Sequence, residues 1–461
     1  MAEDFGEWYR RMLADNNIVD DRYEVKGMLV YRGNGMFMIK QMARYLEDLL
    51  EADGHEPTLF PALIPENLLL TESEHIAGFE DQVYWVTQGG KNALERKLAL
   101  RPTSETCMYT MFALWSRTHQ DLPIKVHQTV CVYRCETKQT RPLIRSREIY
   151  WNEGHTAFAT RQEALANIES IREIYTKLLN GLLCLPIQIN ERPQWDKFPG
   201  AEYTIALETI MPDGRTLQLA TIHNLGQHFS KVFNIQFDDD KGEKHYVWQT
   251  SYGPGFGRLL AATISVHGDE RGMVLPPKVA PVQVVLIPVV YKDSDKESVM
   301  GCITGIRDSL KKQGIRVAVD DGPERPGAKY FLWEQRGVPL RIEVGPRDLK
   351  EGKAVVVRRD SGEKLSVPLD KLDVQAMFSQ IEDNMRTKAQ KKFDECQFMP
   401  QTLGQFRDSV GKGIVSVGWC EKPECAKPIE EAGTILSLTK ESGSCIVCGR
   451  AGKVIKVAKT Y

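Results

Sequence analysis

The sequence predicts a mixed α/β protein of three domains, and three observations carry that expectation. The stretch up to about residue 277 reads as strands interspersed with amphipathic helices, centred on a charged hairpin over Lys125–Thr156. After a proline-rich linker at Pro276–Pro281 the pattern changes to alternating strand and helix, as in a compact α/β domain. The last stretch, Gln397–Tyr461, is small and carries a cysteine quartet. The expected domains are 1–277, 278–396 and 397–461.

With 461 residues, 42% apolar and 26% charged, the chain has the composition of an ordinary globular protein with ample core. A net charge of −2 argues against a uniformly basic nucleic-acid coat and leaves room for local basic patches. The first residues, MAEDFGEWYRRML, are acidic and lack the apolar core of a signal peptide. The longest apolar run, Val282–Val290, is interrupted by Gln283 and Pro288 and is too short to span a bilayer. A cytoplasmic location without membrane contact is expected.

In chain order, Asp4–Asp15 reads as a short helix and Gly33–Gly35 as a turn. Met36–Asp53 is an amphipathic helix with Ile39, Met42, Leu46, Leu49 and Leu50 in one stripe and Gly54 as its stop. A strand is expected over Thr58–Leu63; Pro61 inside it cannot donate to a ladder, which places it at a sheet edge or an interface. Asn67–Phe79 reads as helical, and Gln82–Val86 and Lys97–Leu100 as strands. Pro102 ends the second of these, and Thr103 or Ser104 caps a helix over Glu105–Arg117.

The central hairpin follows. Its first strand, Lys125–Glu136, ends in Arg134-x-Glu136, and its loop carries Lys138 and Arg141. Its second strand, Leu143–His155, holds Trp151, Glu153 and His155 at a spacing of two, so these three share a face. Charges on an inward face are costly to bury unless a ligand or partner satisfies them. A solvent-facing hairpin with scattered charges is the plain alternative.

Thr160-x-x-Glu163 is a capping box, and the helix it starts carries Leu165, Ile168, Ile171, Tyr175, Leu178, Leu179 and Leu182 on one side. Strands are expected at Ile187–Glu191, Ala201–Met211, Arg215–His223 and Val247–Ser251, with a helix over Asn224–Val232. Gly253-Pro-Gly-Phe-Gly-Arg258 then leads into a helix to about Val266. This run lacks the Walker lysine and opens no βαβ unit, so neither a P-loop nor a dinucleotide fingerprint applies. Its glycines allow a ligand close to the backbone, and Arg258 at a helix start can meet a phosphate; a packing bend is the other reading. The second domain reads strand, helix, strand, helix, strand, hairpin over Val282–Val367, then a charged helix to Cys396.

Of ten cysteines, four pair as Cys420-x4-Cys425 and Cys445-x2-Cys448. Four thiolates from two short loops surround Zn2+ tetrahedrally, leaving no open position, so a structural role fits better than a disulfide framework. Free thiols are the alternative.

Taken together, a helix followed by a strand with an internal proline, Arg134-x-Glu136 at a hairpin and a glycine-rich strand ending in Arg258 resemble motifs 1, 2 and 3 of class II aminoacyl-tRNA synthetases. More narrowly, RPTSET at 101–106, RSREIYWNEGHT at 145–156, TIHNLGQHFS at 221–230 and HGDERGMVLPPKVAPVQV at 267–284 resemble the prolyl-tRNA synthetases over essentially the whole chain. The likeness is to the archaeal and eukaryote-like branch, with a zinc-containing extension and no large editing insertion between Glu153 and Gly253.

The resemblance implies an antiparallel-sheet class II catalytic domain, an α/β anticodon-binding domain and a small zinc domain. It implies activation of L-proline with ATP and Mg2+, transfer to tRNA(Pro), a homodimer, and alanine and cysteine as competing substrates. Arg134 then meets the α-phosphate, Glu136 the adenine amino group and Arg258 the γ-phosphate, with Arg145, Ile149, Gln218 and Thr221 also at ATP. Thr103 and Glu105 grip the proline amine. Trp151, Glu153 and His155 enclose its ring, with Arg134, His223, Ser251 and Gly253 nearby. The loop Thr137–Pro142 faces the tRNA acceptor end, and Glu343, Arg347 and Lys353 read the anticodon. At Ile149 the sequence departs from the family, which often places an aromatic ring there against adenine. A synthetase for threonine, serine or glycine, or a tRNA-binding regulator with an inactive site, are the competing readings. The proline-type TSE and WNEGH segments oppose the first; Arg134, Glu136 and Arg258 oppose the second.

Overall fold

Seven strands form the largest sheet, and it carries most of the chain's first part. The structure, a computed structural model, describes residues 4–71, 80–290 and 293–461. In chain order the first part contains α1 (Phe5–Asp15), α2 (Gly33–Ala52), β1 (Glu56–Pro57), β2 (Leu63–Pro65), β3 (Tyr84–Gly89), β4 (Asn92–Leu100) and α3 (Glu105–Trp115). Then come β5 (Ile124–Tyr133), β6 (Glu148–Phe158), α4 (Arg161–Thr176), β7 (Gln188–Glu191), β8 (Tyr203–Ile210), β9 (Thr216–Gly226), β10 (Trp248–Pro254) and α5 (Phe256–His267). The large sheet runs β1-β5-β6-β10-β9-β8-β7, antiparallel except where β1 joins β5, and β2-β4-β3 form a smaller sheet.

Helices α1, α2, α4 and α5 cover one face of the large sheet and form its main core with it. The stripe of α2 buries Met38, Ile39, Met42, Leu46 and Leu50, and Gly54 follows at φ +84°, in the left-handed region that glycine tolerates. The Thr160–Glu163 capping box forms in both directions at the start of α4.

Several boundaries differ from the sequence reading. Gly33–Gly35 is the first turn of α2 rather than a turn before it. The Asn34 and Gly35 N–H groups donate to the Asn17 carbonyl, and Gly35 lies so close to the Ile18 carbonyl that no Cβ would fit. Thr58–Ala62 is not a strand. It crosses between two sheets, and local partners satisfy its backbone: Phe60 N–H donates to Gln128 Oε1 at 2.9 Å, and the Phe60 carbonyl accepts from Arg101 Nη1 at 2.7 Å. Pro61 sits at this crossing, while β1, just before it, is the sheet edge.

β5 stops at Tyr133, so Arg134 and Glu136 lie beyond the ladder and are not strand neighbours. β6 begins only at Glu148, because Leu143–Arg147 belongs to the loop, with Leu143 at φ +64°. Ser104 stands at the start of α3 without capping it, since its hydroxyl is engaged elsewhere. β9 extends to Gly226, leaving only His228–Val232 helical. The helix expected over Asn67–Phe79 covers Glu66–Leu69; residues 72–79 lie outside the described part.

The next part contains β11 (Val284–Pro288), α6 (Lys296–Lys312), β12 (Val317–Val319), α7 (Pro326–Gln335), β13 (Leu340–Val344), β14 (Lys353–Arg358), β15 (Lys364–Pro368) and α8 (Val374–Glu395). Its sheet runs β12-β11-β13-β14-β15, parallel across the first three strands and antiparallel after them, around its own core. The stretch before it is packed rather than loose, with Val279 and Ala280 buried.

The last part holds β16 (Gln397–Phe398), β17 (Ile414–Trp419), α9 (Pro423–Glu430), β18 (Thr434–Ser444) and β19 (Ala451–Ala458), in sheet order β16-β17-β19-β18. Ile210, Phe393, Ile414, Leu436 and Ala458 make a joint core between this sheet, β8 and α8.

Candidate functional site

The site begins with strand register. β6, β10 and β9 lie side by side, and the register sets His155 opposite Ser251 and Ser251 opposite His223, one row across three strands. Thr221 pairs with Gly253 in the next row. Alternation along β6 brings Glu153 and Trp151 to the same face as His155. These residues floor a cavity of about 370 Å³, walled also by Thr103 and Glu105 from the start of α3. At its other end stand Arg134, Glu136, Arg145, Ile149, Gln218 and Arg258. All fifteen residues expected at proline or ATP therefore line one cavity.

The floor end is a closed hydrogen-bond cluster. Glu153 Oε1 accepts from Ser104 Oγ at 2.5 Å and Gln128 Nε2 at 2.8 Å, and Oε2 meets His155 Nε2 at 3.1 Å. His155 Nδ1 lies 3.2 Å from the Tyr109 hydroxyl. Burial alone would raise the Glu153 carboxyl, but His155, Ser104 and Gln128 outweigh it and hold it below its ordinary value. Burial opposes charge on His155 too, yet Glu153 and Glu105 raise it, so the two form a buried ion pair. Glu153 thus anchors the wall rather than offering a free carboxylate. Glu105, bonded by the Thr103 hydroxyl, is the other acid of the cavity floor. The Trp151 indole N–H has no partner among the described residues, and the Arg134 guanidinium lies 5.4 Å from its ring.

The other end is cationic. Arg134 Nε donates to the Pro102 carbonyl at 3.0 Å, while Arg258 donates to the carbonyls of Ile144 at 3.0 Å and Gln218 at 3.2 Å. Burial, then repulsion from Arg134 and Arg145, pushes Arg258 down to about 10. Burial lowers Arg134 as well, against the pull of Glu105, Glu153 and Glu136. Converging guanidiniums in a low-dielectric wall favour an anion between them. Glu136 lies 3.8 Å from Arg145. Their loop is tight, with Arg141 and Arg145 exchanging backbone bonds of 3.0 and 2.9 Å. It is clamped from behind, where Arg141 stacks on the rings of Phe5, Tyr9 and Tyr461. Ile149 lies against Gly255, 3.8 Å from the position a Cβ would take.

Sequence reasoning missed Arg192 and Phe198, which also line the cavity. The Phe198 ring stacks on His223 at 4.4 Å, and His223 Nδ1 lies 2.9 Å from Thr204 Oγ1. Both come from the irregular segment between β7 and β8, which has no periodicity to read.

The three anticodon candidates are not equivalent. Glu343 is 5% exposed and engaged by Arg341 Nε at 3.0 Å and Tyr330 Oη at 2.9 Å, so it holds its neighbours rather than facing outward. The Arg347 side chain is 91% exposed, and Lys353 lies 3.6 Å from Glu351.

The sulfur atoms of Cys420, Cys425, Cys445 and Cys448 lie within 4.8 Å of one another, and none is in a disulfide. Burial pushes the Cys425 thiol up to about 12. Burial acts the same way on Cys445, but backbone N–H groups from Cys448, Val447 and Cys420 outweigh it and bring Cys445 down to about 6. Four sulfurs, two from around the start of α9 and two from the turn between β18 and β19, with N–H groups aimed at one of them, fit a tetrahedral Zn2+. Among the described residues no helix is long and apolar enough to cross a membrane.

Comparison with known proteins agrees with this geometry. Residues 84–267 match the family model "tRNA synthetase class II core domain (G, H, P, S and T)", and residues 283–373 match "Anticodon binding domain". The proline–tRNA ligase of Methanothermobacter thermautotrophicus is 47% identical over 455 residues, 97% of this chain and 94% of that one. That of Thermococcus kodakarensis is 46% identical over 479 residues, 100% of this chain and 98% of that one. The solved structure of Giardia lamblia prolyl-tRNA synthetase in complex with prolyl-adenylate superposes with a TM-score of 0.94 at 36% identity, covering 99% of this chain and 98% of that one. Register, charge and likeness converge on one conclusion: the chain belongs to the prolyl-tRNA synthetase family of class II aminoacyl-tRNA synthetases.

Proposed function

We infer that the chain attaches proline to tRNA(Pro) in two steps, and the single observation that carries this is the cavity's polarity. One end is an apolar and hydrogen-bonded floor with an acid, Glu105; the other is a cluster of guanidiniums. A zwitterionic imino acid and a nucleoside triphosphate fit those two ends. Glu105 and Thr103 take the proline ammonium, and Trp151, His155, Ser251, His223 and Gly253 enclose the ring. Gly253 suits this because its bare backbone adds no side chain to the floor.

In the first step a proline carboxylate oxygen attacks the α-phosphorus, and the bond to pyrophosphate breaks. Arg134 neutralises the charge growing on the α-phosphate, and Arg258 holds the departing pyrophosphate. Glu136, Arg145, Ile149, Gln218 and Thr221 position the nucleotide, with Ile149 giving adenine an apolar contact. Mg2+ bound with ATP would neutralise part of the phosphate charge. In the second step the terminal ribose hydroxyl of tRNA attacks the prolyl carbonyl and AMP leaves. No side chain acts as nucleophile, so the protein contributes positioning and electrostatics.

The residue roles, the three-domain division at 277 and 396, and a cytoplasmic location belong to the same reading. Arg347 and Lys353 are the exposed cations for the anticodon. Leu59 (80%), Leu114 (64%), Leu63 and Trp115 are exposed apolar side chains, and the Trp115 ring packs on Phe60 beside Leu59; such a surface suits a homodimer. A monomer with full activity would remove that assignment. Cys420, Cys425, Cys445 and Cys448 would hold a structural Zn2+, which would tie the start of α9 to the turn after β18; metal analysis should find about one zinc per chain.

Proline-dependent exchange of pyrophosphate into ATP tests the function directly. Exchange is expected with proline, and weaker exchange with alanine and cysteine. Folded protein with Mg2+ that shows none with proline would refute the assignment.

A further inference from the structure

We propose that Arg192 is a positioning residue for the nucleotide end of the pocket, and that the C-terminal sheet holds it in place. The proposal rests on the reading above that Gln218 and Arg258 face the nucleotide. A chain of buried hydrogen bonds runs from the tail to the cavity wall. Ser437 Oγ on β18 donates to Asn190 Oδ1 on β7 at 3.2 Å. Asn190 Nδ2 donates to Glu208 Oε2 on β8 at 2.8 Å. Arg192 Nη2 donates to Glu208 Oε1 at 2.6 Å and to Gln218 Oε1 at 3.0 Å. Ser437, Asn190, Glu208 and Arg192 are all buried.

Each link fixes the next. An amide side chain can present oxygen or nitrogen to a neighbour, and its hydrogen bonds decide which. The Ser437 hydroxyl donates to Asn190 Oδ1, which turns Nδ2 toward Glu208. Glu208 then has one oxygen for Asn190 and the other for Arg192. With its Oε1 taken by Arg192, Gln218 offers its Nε2 donors to a ligand. The Gln218 carbonyl also accepts from Arg258, so one residue joins both arginines.

A second contact reinforces the first. Three residues beyond Arg192, the Trp195 indole meets Trp419 of β17 edge to face, with ring centroids 5.9 Å apart at 86°. Trp195 is 59% exposed while Trp419 is buried, so Trp195 lies against the tail domain from outside. The segment is also tied to Thr204, through Arg192 N at 2.8 Å and Phe198 N at 2.9 Å, and Arg192 Nη1 lies 3.6 Å from the Asp196 carboxylate. Removing either tail contact leaves the pocket's own side chains intact and loosens only what orients Arg192 and Gln218.

The test compares Ser437→Ala, Trp195→Ala and the double variant with the unaltered chain. ATP affinity is read twice, as KM in pyrophosphate exchange and as Kd by titration calorimetry, with the proline KM and the melting temperature alongside. Each single variant should weaken ATP by about 3- to 10-fold, with proline KM and melting temperature nearly unchanged. Ser437→Thr, which keeps the hydroxyl, should restore ATP affinity. Unaltered ATP affinity in both single variants would overturn the proposal, as would equal losses for ATP and proline or a fall in melting temperature that tracks the affinity. Should Ser437→Ala not fold, Trp195→Ala decides alone. Absence of exchange in the unaltered chain would instead strike the functional reading, before any variant is compared.

Discussion

In the five-stranded domain, buried charges come in pairs. Arg358 meets Asp360 at 2.8 Å, Arg341 meets Glu343 at 3.0 Å, and Lys329 meets Asp320 at 3.6 Å. In the cavity over the seven-stranded sheet, Arg134, Arg145 and Arg258 converge; Arg145 meets Glu136 at 3.8 Å, but Arg258 has no carboxylate within ion-pair distance among the described residues. Both regions take guanidiniums out of water, which is unfavourable without compensation. The first compensates within the fold. The second leaves part of the compensation to a ligand, so like charges packed together mark the site better than burial does.

Paired substitutions sharpen that contrast. Arg258→Ala should lower proline-dependent exchange by about a thousand-fold, the scale of losing a donor at a developing charge. Its denaturation midpoint should hold or rise, because a repelled charge is gone. An unfolded or strongly destabilised Arg258→Ala would break the comparison. Arg358→Met should behave oppositely. It leaves Asp360 buried with a lost partner, at about 3 kcal/mol of stability, while exchange per folded molecule stays near the unaltered value. A large loss of exchange with normal stability would show that the two regions do not divide this way.

The smallest effect concerns pH. His155 is raised above its ordinary 6.5, so its contribution is full below 6.5 and is lost as pH rises through the raised value. Glu153 is lowered below 4.5, so its contribution is full above 4.5 and is lost as pH falls through the lowered value. The stability gap between the unaltered chain and His155→Gln should therefore be widest between 4.5 and 6.5 and narrow on both sides. A gap that stays constant from about pH 4 to about pH 9 would deny the ion pair.

Periodicity made much of this legible. The stripe of α2, the β5–β6 hairpin and the alternating strands and helices after residue 281 are all visible as spacing. The spacing of Trp151, Glu153 and His155 put them on one face of β6, and the cavity confirms that they are neighbours there. What stayed hidden depends on distant backbone. Thr58–Ala62 has strand-like composition, yet Gln128 and Arg101 take its hydrogen bonds. Gly33–Gly35 reads as a turn until Asn17 supplies the acceptor that starts a helix. The tail sheet has a core of its own and a second, smaller one shared with β8 and α8, and no local pattern announces that second contact. Arg192 is held at the cavity by Glu208 and Gln218, which no local pattern connects to it.

The row His155, Ser251, His223 has a kinetic consequence. Its three strands, β6, β10 and β9, are spatial neighbours, but β10 is separated from β6 by nearly a hundred residues of chain. Such pairing has high contact order, and closing so long a loop comes late in folding. A chain emerging from the ribosome can form the β5–β6 hairpin and the helices around it early. It cannot floor the pocket, nor present Arg258, until residues 248–258 have appeared and slid in between β6 and β9. Proline and ATP therefore have no completed site on a shorter nascent chain, and ligand binding can stabilise only molecules that have already finished their central sheet.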